Sequence, residues 1–202
     1  MDKLLWMAFA LVGIAYLLGS ISSAILISRL FQLPDPRTTG SKNPGATNVL
    51  RTGGKSKAAL VLIGDVLKGL LPVLLAKYFL HLPDWWIGVI GLSAVIGHIF
   101  PVFYHFKGGK GIATALGVYF GLSAGFGLVC GLIWLLIFLC CRYSSLSSLI
   151  MVIAAPIVSL YFFSESMTWL PLLLLAIVCF YKHQANIQRL WQGTESKMSK
   201  NK

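Results

Sequence analysis

Long runs of apolar residues constrain the fold of this chain more than any other feature of its sequence. The runs fall at about 4–30, 58–80, 85–103, 112–141, 146–163 and 167–181. A helix needs roughly 20 apolar residues to cross a hydrocarbon core about 30 Å thick, because each residue rises about 1.5 Å. Most of the chain is therefore predicted to cross a bilayer as α-helices. We interpret the first run as a retained helix, because it is too long for the apolar region of a cleaved signal peptide.

The positions of the basic residues predict how many times the chain crosses. Lysine and arginine concentrate in three segments, at 31–57, 107–111 and 182–202. Basic loops remain in the cytoplasm, so all three segments should lie on that side. This is possible only if run 112–141 turns back near its glycines and forms two short helices. We therefore predict an all-α membrane protein with seven transmembrane helices, some of them short.

In this topology the polar loops that are candidates for a functional site face the cytoplasm. The N-terminus and the turns at 81–84 and 164–168 lie outside, and the C-terminus lies inside. A single integral-membrane domain is predicted to cover residues 1–202, with about 187–202 as a cytoplasmic tail. No segment has the composition of a separate soluble domain.

The net charge of +11 indicates anionic partners and membrane orientation. In a soluble protein it would favour nucleic acid, but we expect no nucleic-acid partner for a chain that is 57% hydrophobic.

The four cysteines lie inside apolar runs without metal-ligand spacing, and no histidine motif accompanies His98 or His105. We therefore expect neither a metal nor a cofactor.

The loop DPRTTGSKNPGATNVLR, at 35–51, combines glycines and prolines with many hydrogen-bond donors. Guanidinium groups form paired hydrogen bonds with phosphate oxygens, and neutral donors complete such a site. The candidate phosphate-binding residues of this loop are Arg37, Ser41, Asn43, Thr47, Asn48 and Arg51. An ordinary basic cytoplasmic loop is an equally good explanation of the composition alone.

A second candidate is the sequence FKGGKGIAT at 106–114, which we call the glycine loop. Its central residues are Gly108, Gly109, Lys110 and Gly111. Backbone amides of a glycine-rich segment at a helix N-terminus can hold an anion, and the lysine adds a positive charge. The spacing of a nucleotide P-loop is absent.

The third candidate lies just after the last apolar run, where His183 and Asn186 stand three residues apart. A helix continuing through both would place them on one face.

Ser145 and Ser148 likewise share a face near the cytoplasmic end of the sixth span. Within the second run, Asp65 and Lys68 are spaced to pair on one face of a helix, and we interpret them as structural.

Several of these motifs together resemble the bacterial acyl-phosphate:glycerol-3-phosphate acyltransferases, the PlsY family. GSISSA at 19–24 and the loop at 35–51 together match the first motif of the family, GHIFPVFYHFKGGKGIAT at 97–114 matches its glycine loop, and KHQANIQRL at 182–190 matches the last motif. Three long motifs in the right order make this resemblance specific. The chain departs from the family pattern at Ser22, Pro36 and Lys42, which affects fine loop geometry only.

The resemblance implies an enzyme of the bacterial inner membrane. It would transfer a fatty acyl group from acyl phosphate to the 1-hydroxyl of glycerol 3-phosphate, releasing lysophosphatidic acid and phosphate. Acyl phosphate, glycerol 3-phosphate and membrane lipids are the expected partners. We expect His183 and Asn186 to be catalytic and the other candidates, including Ser145 and Ser148, to bind substrate. A small-anion transporter is the alternative, since basic and glycine-rich segments also line permeation paths.

Overall fold

The computed structural model describes residues 2–163 and 167–198, and all regular structure within those ranges is helical. The helices are α1 Asp2–Gly19, α2 Ser23–Leu30, α3 Ala46–Gly53, α4 Lys55–Leu74, α5 Asp84–Ile99, α6 Ile112–Leu122, α7 Ala124–Cys141, α8 Ser144–Phe162, α9 Trp169–Lys182 and α10 Gln184–Trp191. A π-helical turn at Leu75–Phe79 extends α4. Part of the predicted outer turn at 164–168, and the tail residues Lys200 and Lys202, lie outside the described residues.

Several segments of the chain are long and apolar enough to cross a membrane. Within the described ranges, five segments meet that requirement alone: Lys3–Leu30, Lys55–Phe79, Asp84–Tyr104, Ala124–Cys141 and Ser144–Phe162. A sixth span is obtained if α9 and α10 count as one, although they are bent by 63° relative to each other. The remaining apolar helix, α6, has only 11 residues. The prediction of an all-helical membrane protein is confirmed.

The first apolar run is not one continuous helix, contrary to our expectation. It breaks after Gly19 and resumes at Ser23, where the Ser22 hydroxyl accepts a hydrogen bond from the Ile25 amide. A Cβ at Gly19 would lie 2.1 Å from the carbonyl oxygen of Ala94, so α1 approaches the backbone of α5 directly. The break also frees the Ile21 carbonyl, which accepts a hydrogen bond from Lys68 Nζ.

The long run at 112–141 divides into two helices, as predicted, with extended backbone at Ser123 (φ −157°). The halves are unequal, since α7 has 18 residues and α6 has 11. At the end of α6, the Leu122 carbonyl accepts a hydrogen bond from Lys77 Nζ. Lysine near the C-terminus of a helix satisfies a carbonyl without an intrahelical partner. The short helix therefore ends against the π-helical turn that follows α4.

Glycines allow α6 to pack directly on the backbone of α4. A Cβ at Gly117 would lie 2.1 Å from the Val66 oxygen, and one at Gly69 would lie 2.2 Å from the Thr114 oxygen. Small residues permit such close packing of membrane helices. Gly69 lies fourteen residues after Lys55, which corresponds to about 21 Å along α4. The start of α6, and the glycine loop before it, are therefore recessed deep within the bundle.

The α4–α6 contact provides a test of this packing. We expect Gly117→Ala to destabilise the protein by about 1–3 kcal/mol, the usual effect of overpacking, because the new methyl group meets a backbone oxygen. Gly13→Ala is the matched control, since a Cβ there meets nothing within 4 Å. Thermal unfolding in detergent should give a lower midpoint for Gly117→Ala only. Equal midpoints for the two variants would contradict the direct backbone contact.

Candidate active site

A cluster of polar side chains lies where the glycine loop meets the start of α8 and the junction of α9 with α10. Lys110 Nζ donates a hydrogen bond to Asn186 Oδ1 at 2.5 Å. Asn186 Nδ2 and Ser145 Oγ both donate to Glu195 Oε1, each at 2.6 Å, and Arg189 Nε donates to Glu195 Oε2 at 2.7 Å. The structure thus brings together three residues predicted from widely separated segments. We call these five residues the anion cluster.

The orientation of the Asn186 amide follows from its two neighbours in the anion cluster. A carboxylate only accepts hydrogen bonds, and an ammonium group only donates them. Asn186 must therefore direct Nδ2 toward Glu195 and Oδ1 toward Lys110. Glu195 fixes the side chain that holds the lysine, and this connection determines where the charge of Lys110 is placed.

Sequence reasoning missed Glu195 and Arg189, although both complete the anion cluster. Glu195 follows the last helix, in a segment where Thr194 N also donates to the Arg189 carbonyl. The available signal was the scarcity of acidic residues, six in 202, with one of them in the basic tail. That signal does not identify partners, because the segment folds back onto residues far away in sequence. Arg51 contacts the same segment through Ser196 Oγ at 3.0 Å.

The chain bends at His183, so the predicted continuous helix through His183 and Asn186 is wrong. Helix α9 ends at Lys182 and α10 begins at Gln184, with Asn186 N donating to the His183 carbonyl. Both side chains are nevertheless buried at this junction, with 1% and 5% exposure, and the Lys110 charge acts on His183. The bend, rather than a shared helical face, brings them to the site.

The hydrogen bonding of His183 determines its neutral tautomer. Its Nδ1 lies 2.7 Å from the carbonyl oxygen of Cys179. A carbonyl oxygen accepts but cannot donate, so the proton of neutral His183 is on Nδ1. Nε2 then carries the lone pair and is the nitrogen that can accept a hydrogen bond from a hydroxyl group.

Positive charge exceeds negative charge around Lys110. The cations Arg189, Arg51 and Lys182 all act on it, and Glu195 is the opposing carboxylate. Among the residues that the structure describes, these four cations and one carboxylate leave an excess of three positive charges. Desolvation by burial, together with repulsion from the three other cations, outweighs attraction by Glu195 and lowers the pKa of Lys110 to about 8. A bound anion would restore the balance.

The hydrogen bonds of Glu195 keep it charged. Desolvation, the largest effect, raises the pKa of this carboxyl. Hydrogen bonds from Ser145, Asn186 and Arg189 act in the opposite direction, and the pKa lies below its ordinary value. Glu195 is thus a fixed negative charge that orients its three donors.

The glycine loop does not use its glycine amides as predicted. Gly108 N donates to the Ile99 carbonyl and Gly109 N to the His98 carbonyl, at 3.2 and 3.1 Å. These amides attach the loop to the end of α5 and do not face a ligand. Gly111 has a left-handed conformation (φ 83°) and precedes α6, whose first helical bond joins Ala115 N to the Gly111 carbonyl. The N–H groups before Ala115 are the backbone donors left for an anion.

Asn48 has a different role from the predicted one. Its Oδ1 accepts from Ser41 N at 2.9 Å, while its Nδ2 donates to the carbonyls of Pro36 and Thr39 at 2.8 and 3.0 Å. With 1% exposure, Asn48 lies inside the loop and cannot act as a donor to substrate. It holds the loop in shape. Gly40 is left-handed (φ 58°), and a Cβ there would lie 2.2 Å from Asn48 Oδ1.

Arg37 is also engaged within its own loop. It forms an ion pair of 2.6 Å with Asp35, and hydrogen bonds from Arg37 lower the pKa of that carboxyl.

Ser148 belongs to helix packing, since it accepts from Trp134 Nε1 at 3.1 Å and donates to the Ser144 carbonyl. The hydroxyl of Ser148 therefore joins α7 to α8.

The other loop candidates lie on the accessible side. Ser41, Thr47 and Arg51 are exposed, and Asn43 is half-buried. The Pro44 carbonyl would lie 3.0 Å from a Cβ on Gly109, so the loop rests against the glycine loop. Through its contact with Ser196, Arg51 of this loop reaches the segment that carries Glu195. No group of three or more His, Cys, Asp or Glu residues able to hold a metal occurs in the part of the chain that the structure describes.

Comparison with known proteins gives consistent matches along the chain. A family model described as glycerol-3-phosphate acyltransferase matches residues 9–193. A glycerol-3-phosphate acyltransferase of Proteus mirabilis is 52% identical over 192 residues, which cover 95% of this chain and 86% of that protein. The protein of that name from Haemophilus ducreyi is 51% identical, covering 95% and 94%.

Two solved structures share the fold. Both are described as PlsY (YgiH), an integral membrane glycerol 3-phosphate acyltransferase. The glycerol 3-phosphate form is 41% identical with a TM-score of 0.89, and the lysophosphatidic acid form is 40% identical with a TM-score of 0.87. Each match covers 96% of this chain and 96% of the other.

The pKa of Lys110 predicts how anion affinity depends on pH. Because this pKa is lowered to about 8, the free site loses a positive charge as the pH rises above 8. The affinity for methyl phosphate should then fall by up to about tenfold per pH unit, as linkage requires. Methyl phosphate suits the measurement, since a phosphate monoester ionises for the second time near pH 6. Titration calorimetry between pH 7 and 9.5 measures this dependence.

Lys110→Arg is the control for the same experiment. Arginine keeps its charge throughout this range, so the affinity of the variant should stay constant between pH 8 and 9.5. The shape of the profile is compared, because the absolute affinity also reflects geometry. The same fall in both proteins would show that another group causes it.

Proposed function

This chain belongs to the glycerol-3-phosphate acyltransferase family, and we propose that its acyl donor is an acyl phosphate. The reaction transfers a fatty acyl group to the 1-hydroxyl of glycerol 3-phosphate. Lysophosphatidic acid and inorganic phosphate are the products, as in the first acylation step of bacterial phospholipid synthesis. Membership of an acyltransferase family removes the reason for considering an anion transporter.

The excess positive charge of the anion cluster and its neighbours carries this proposal. A phosphate monoester carries a charge of about −1.5 to −2 at pH 7. One such group leaves part of the excess of three positive charges unbalanced, whereas two phosphates balance it fully. A charge excess of this size therefore favours two small phosphate substrates held together. The recessed position allows the acyl chain of the donor to remain among apolar helices.

We assign phosphate binding to cations and neutral donors around the anion cluster. Arg51 and Lys110 supply the predicted charged contacts, and Arg189 adds one that the sequence did not indicate. Ser41, Asn43 and Thr47 supply neutral donors at the edge of the site. Losing one charged hydrogen bond costs about 1.5–3 kcal/mol, which corresponds to about ten- to a hundredfold in affinity.

We propose that the glycerol hydroxyl attacks the donor directly, without an acyl-enzyme. The 1-hydroxyl oxygen forms a bond to the acyl carbonyl carbon, and the bond from that carbon to the phosphate oxygen breaks. In the bound substrate the hydroxyl donates its single proton in a hydrogen bond to His183 Nε2, which orients the attacking oxygen. As the new bond forms, this proton passes to an oxygen of the departing phosphate or to His183 itself. Asn186 holds Lys110 beside the phosphate. Phosphate is a good leaving group, so positioning and charge stabilisation supply most of the acceleration.

An assay of the purified protein with palmitoyl phosphate and glycerol 3-phosphate tests both donor and mechanism. We expect release of inorganic phosphate in proportion to lysophosphatidic acid. If the substrate phosphate accepts the proton, His183→Ala should reduce kcat about ten- to a hundredfold and leave measurable turnover, because it loses one oriented hydrogen bond. The exposed His81 is the matched control, and His81→Ala should keep the full rate.

Different results would contradict different parts of the proposal. No phosphate release by folded wild-type protein would contradict the acyl phosphate donor. Complete loss of turnover in folded His183→Ala would make histidine the obligatory base. A mass increase of one acyl group on the protein during turnover would exclude direct attack.

We also propose seven crossings of the bacterial inner membrane. They are the five long segments, the bent pair α9 and α10, and the short helix α6. At 11 residues, α6 spans about 16 Å, which requires its start to lie recessed or the bilayer to thin locally. The N-terminus is then outside, and the active site and the C-terminus face the cytoplasm. The distribution of basic segments supports this orientation.

Cysteine labelling tests the orientation. In a background with the native cysteines replaced by alanine, Lys42→Cys and Lys197→Cys should be protected from a membrane-impermeant maleimide in intact cells. His81→Cys should react, because it lies on the opposite side. All three positions are exposed, so poor accessibility does not explain protection. Labelling of position 42 or 197 from outside would contradict the seven-span topology.

A further inference from the structure

A second group of charged residues lies inside the bundle, away from the anion cluster. It consists of Asp65 and Lys68 on α4 and His98 on α5, with exposures of 2%, 8% and 7%. Asp65 Oδ1 lies 2.9 Å from Lys68 Nζ and 3.6 Å from His98 Nδ1. The pairing of Asp65 with Lys68 was predicted from the sequence, but the approach of His98 was not. We call these residues the buried triad.

The position of the buried triad calls for an explanation beyond packing. Removing charges from water costs several kcal/mol per ion, and apolar residues of similar volume often serve stability equally well. Ionisable residues inside membrane segments usually serve function for this reason. Two atoms at the centre of the triad, Asp65 Oδ1 and His98 Nδ1, also lack a well-directed hydrogen bond. The group is therefore not a fully satisfied structural network.

The buried triad connects two irregular backbone segments. At one end, Lys68 Nζ donates to the Ile21 carbonyl in the break between α1 and α2, at 2.8 Å. At the other end, the His98 carbonyl accepts the hydrogen bond of Gly109 N. The imidazole of His98 lies directly against Gly109, because a Cβ there would be 2.2 Å from Nε2.

Gly109 immediately precedes Lys110, so the orientation of His98 affects the lysine. The imidazole has Asp65 near Nδ1 and the glycine loop near Nε2. If the imidazole rotated, it would either clash with Gly109 or lose its contact with Gly109. Asp65 limits the ring on its Nδ1 side, and Asp65 is itself held by Lys68, which also donates to the Ile21 carbonyl.

We propose that the buried triad positions the glycine loop so that Lys110 reaches the substrate phosphate. Asp65, Lys68 and His98 are positioning residues in this scheme, and they contact no substrate. The inference rests on the proposed function in one respect, the assignment of Lys110 to phosphate binding. It explains why charged residues are retained beneath a loop whose own glycine amides face the protein.

A double-mutant cycle between Asp65→Asn and Lys110→Met tests the proposal. KM and kcat are measured for both glycerol 3-phosphate and palmitoyl phosphate. Asp65→Asn should raise the same KM that Lys110→Met raises, by about tenfold, and change kcat by less than about threefold. The double variant should have the same KM as Lys110→Met alone, because Asp65 acts through the lysine. If Asp65 had a purely structural role, Asp65→Asn would change KM whether or not Lys110 is present.

A second variant is used if Asp65→Asn fails to fold. Asp65→Asn combined with Lys68→Met removes both members of the pair, and so leaves no unpaired buried charge. Lys77→Met is the matched control, since Lys77 lies on the same helical segment and donates to the Leu122 carbonyl, away from the glycine loop. It should lower the melting temperature and leave both KM values unchanged.

The outcomes separate this inference from the proposed function. An unchanged KM in a folded Asp65 variant, or effects that multiply with those of Lys110→Met, would overturn the positioning role. Raised KM values in Lys77→Met would show that general loosening of the bundle explains the effect. Inactivity of the wild-type protein with palmitoyl phosphate would instead contradict the acyl phosphate donor. Positioning would then be tested by titrating methyl phosphate into the same variants.

Discussion

Two backbone hydrogen bonds determine how this site is built. Gly108 and Gly109 donate to the last carbonyls of α5 and attach the glycine loop to the interior of the bundle. Helices end with carbonyls that lack intrahelical partners, and inside a membrane protein such groups must be satisfied by the chain itself. The glycine loop satisfies them. It therefore enters the bundle, starts α6 at depth and carries Lys110 with it to Asn186.

The charged residues form two groups, one above and one below the glycine loop, and both depend on the attachment of this loop to α5. The anion cluster is the upper level and the buried triad is the lower level. At the upper level, the anion cluster has an excess of cations that an anionic ligand balances. At the lower level, the buried triad is close to electrically balanced and lies against the underside of the glycine loop. Coulomb interactions are stronger where water is excluded, so the charges of the buried triad interact more strongly than the same residues would at a surface. Only the upper level is arranged to receive a ligand.

The sequence predicted which residues carry the chemistry better than it predicted their contacts. Lys110, Asn186 and Ser145 were identified from separate segments, and the structure joins them. Glu195 was missed because a fold-back of the tail has no periodic pattern. Arg189, on α10, was missed because it was counted only as part of the basic segment that sets the orientation. The break after Gly19 and the bend at His183 escaped prediction for a similar physical reason. The break brings Gly19 against Ala94 and Ile21 to Lys68, and the bend brings Asn186 to Lys110. These partners are far away in sequence, so local propensity does not predict the contacts.

The segment that follows the last helix connects parts of the bundle that are far apart in sequence. Ser196 contacts Arg51 of α3, and Glu195 contacts Ser145 of α8 and Asn186 of α10. This segment is synthesised after every described helix. The polar cluster therefore depends on residues that come late in the chain. A chain shortened before Glu195 would keep all of its described helices and lose the carboxylate that joins α8 to α10.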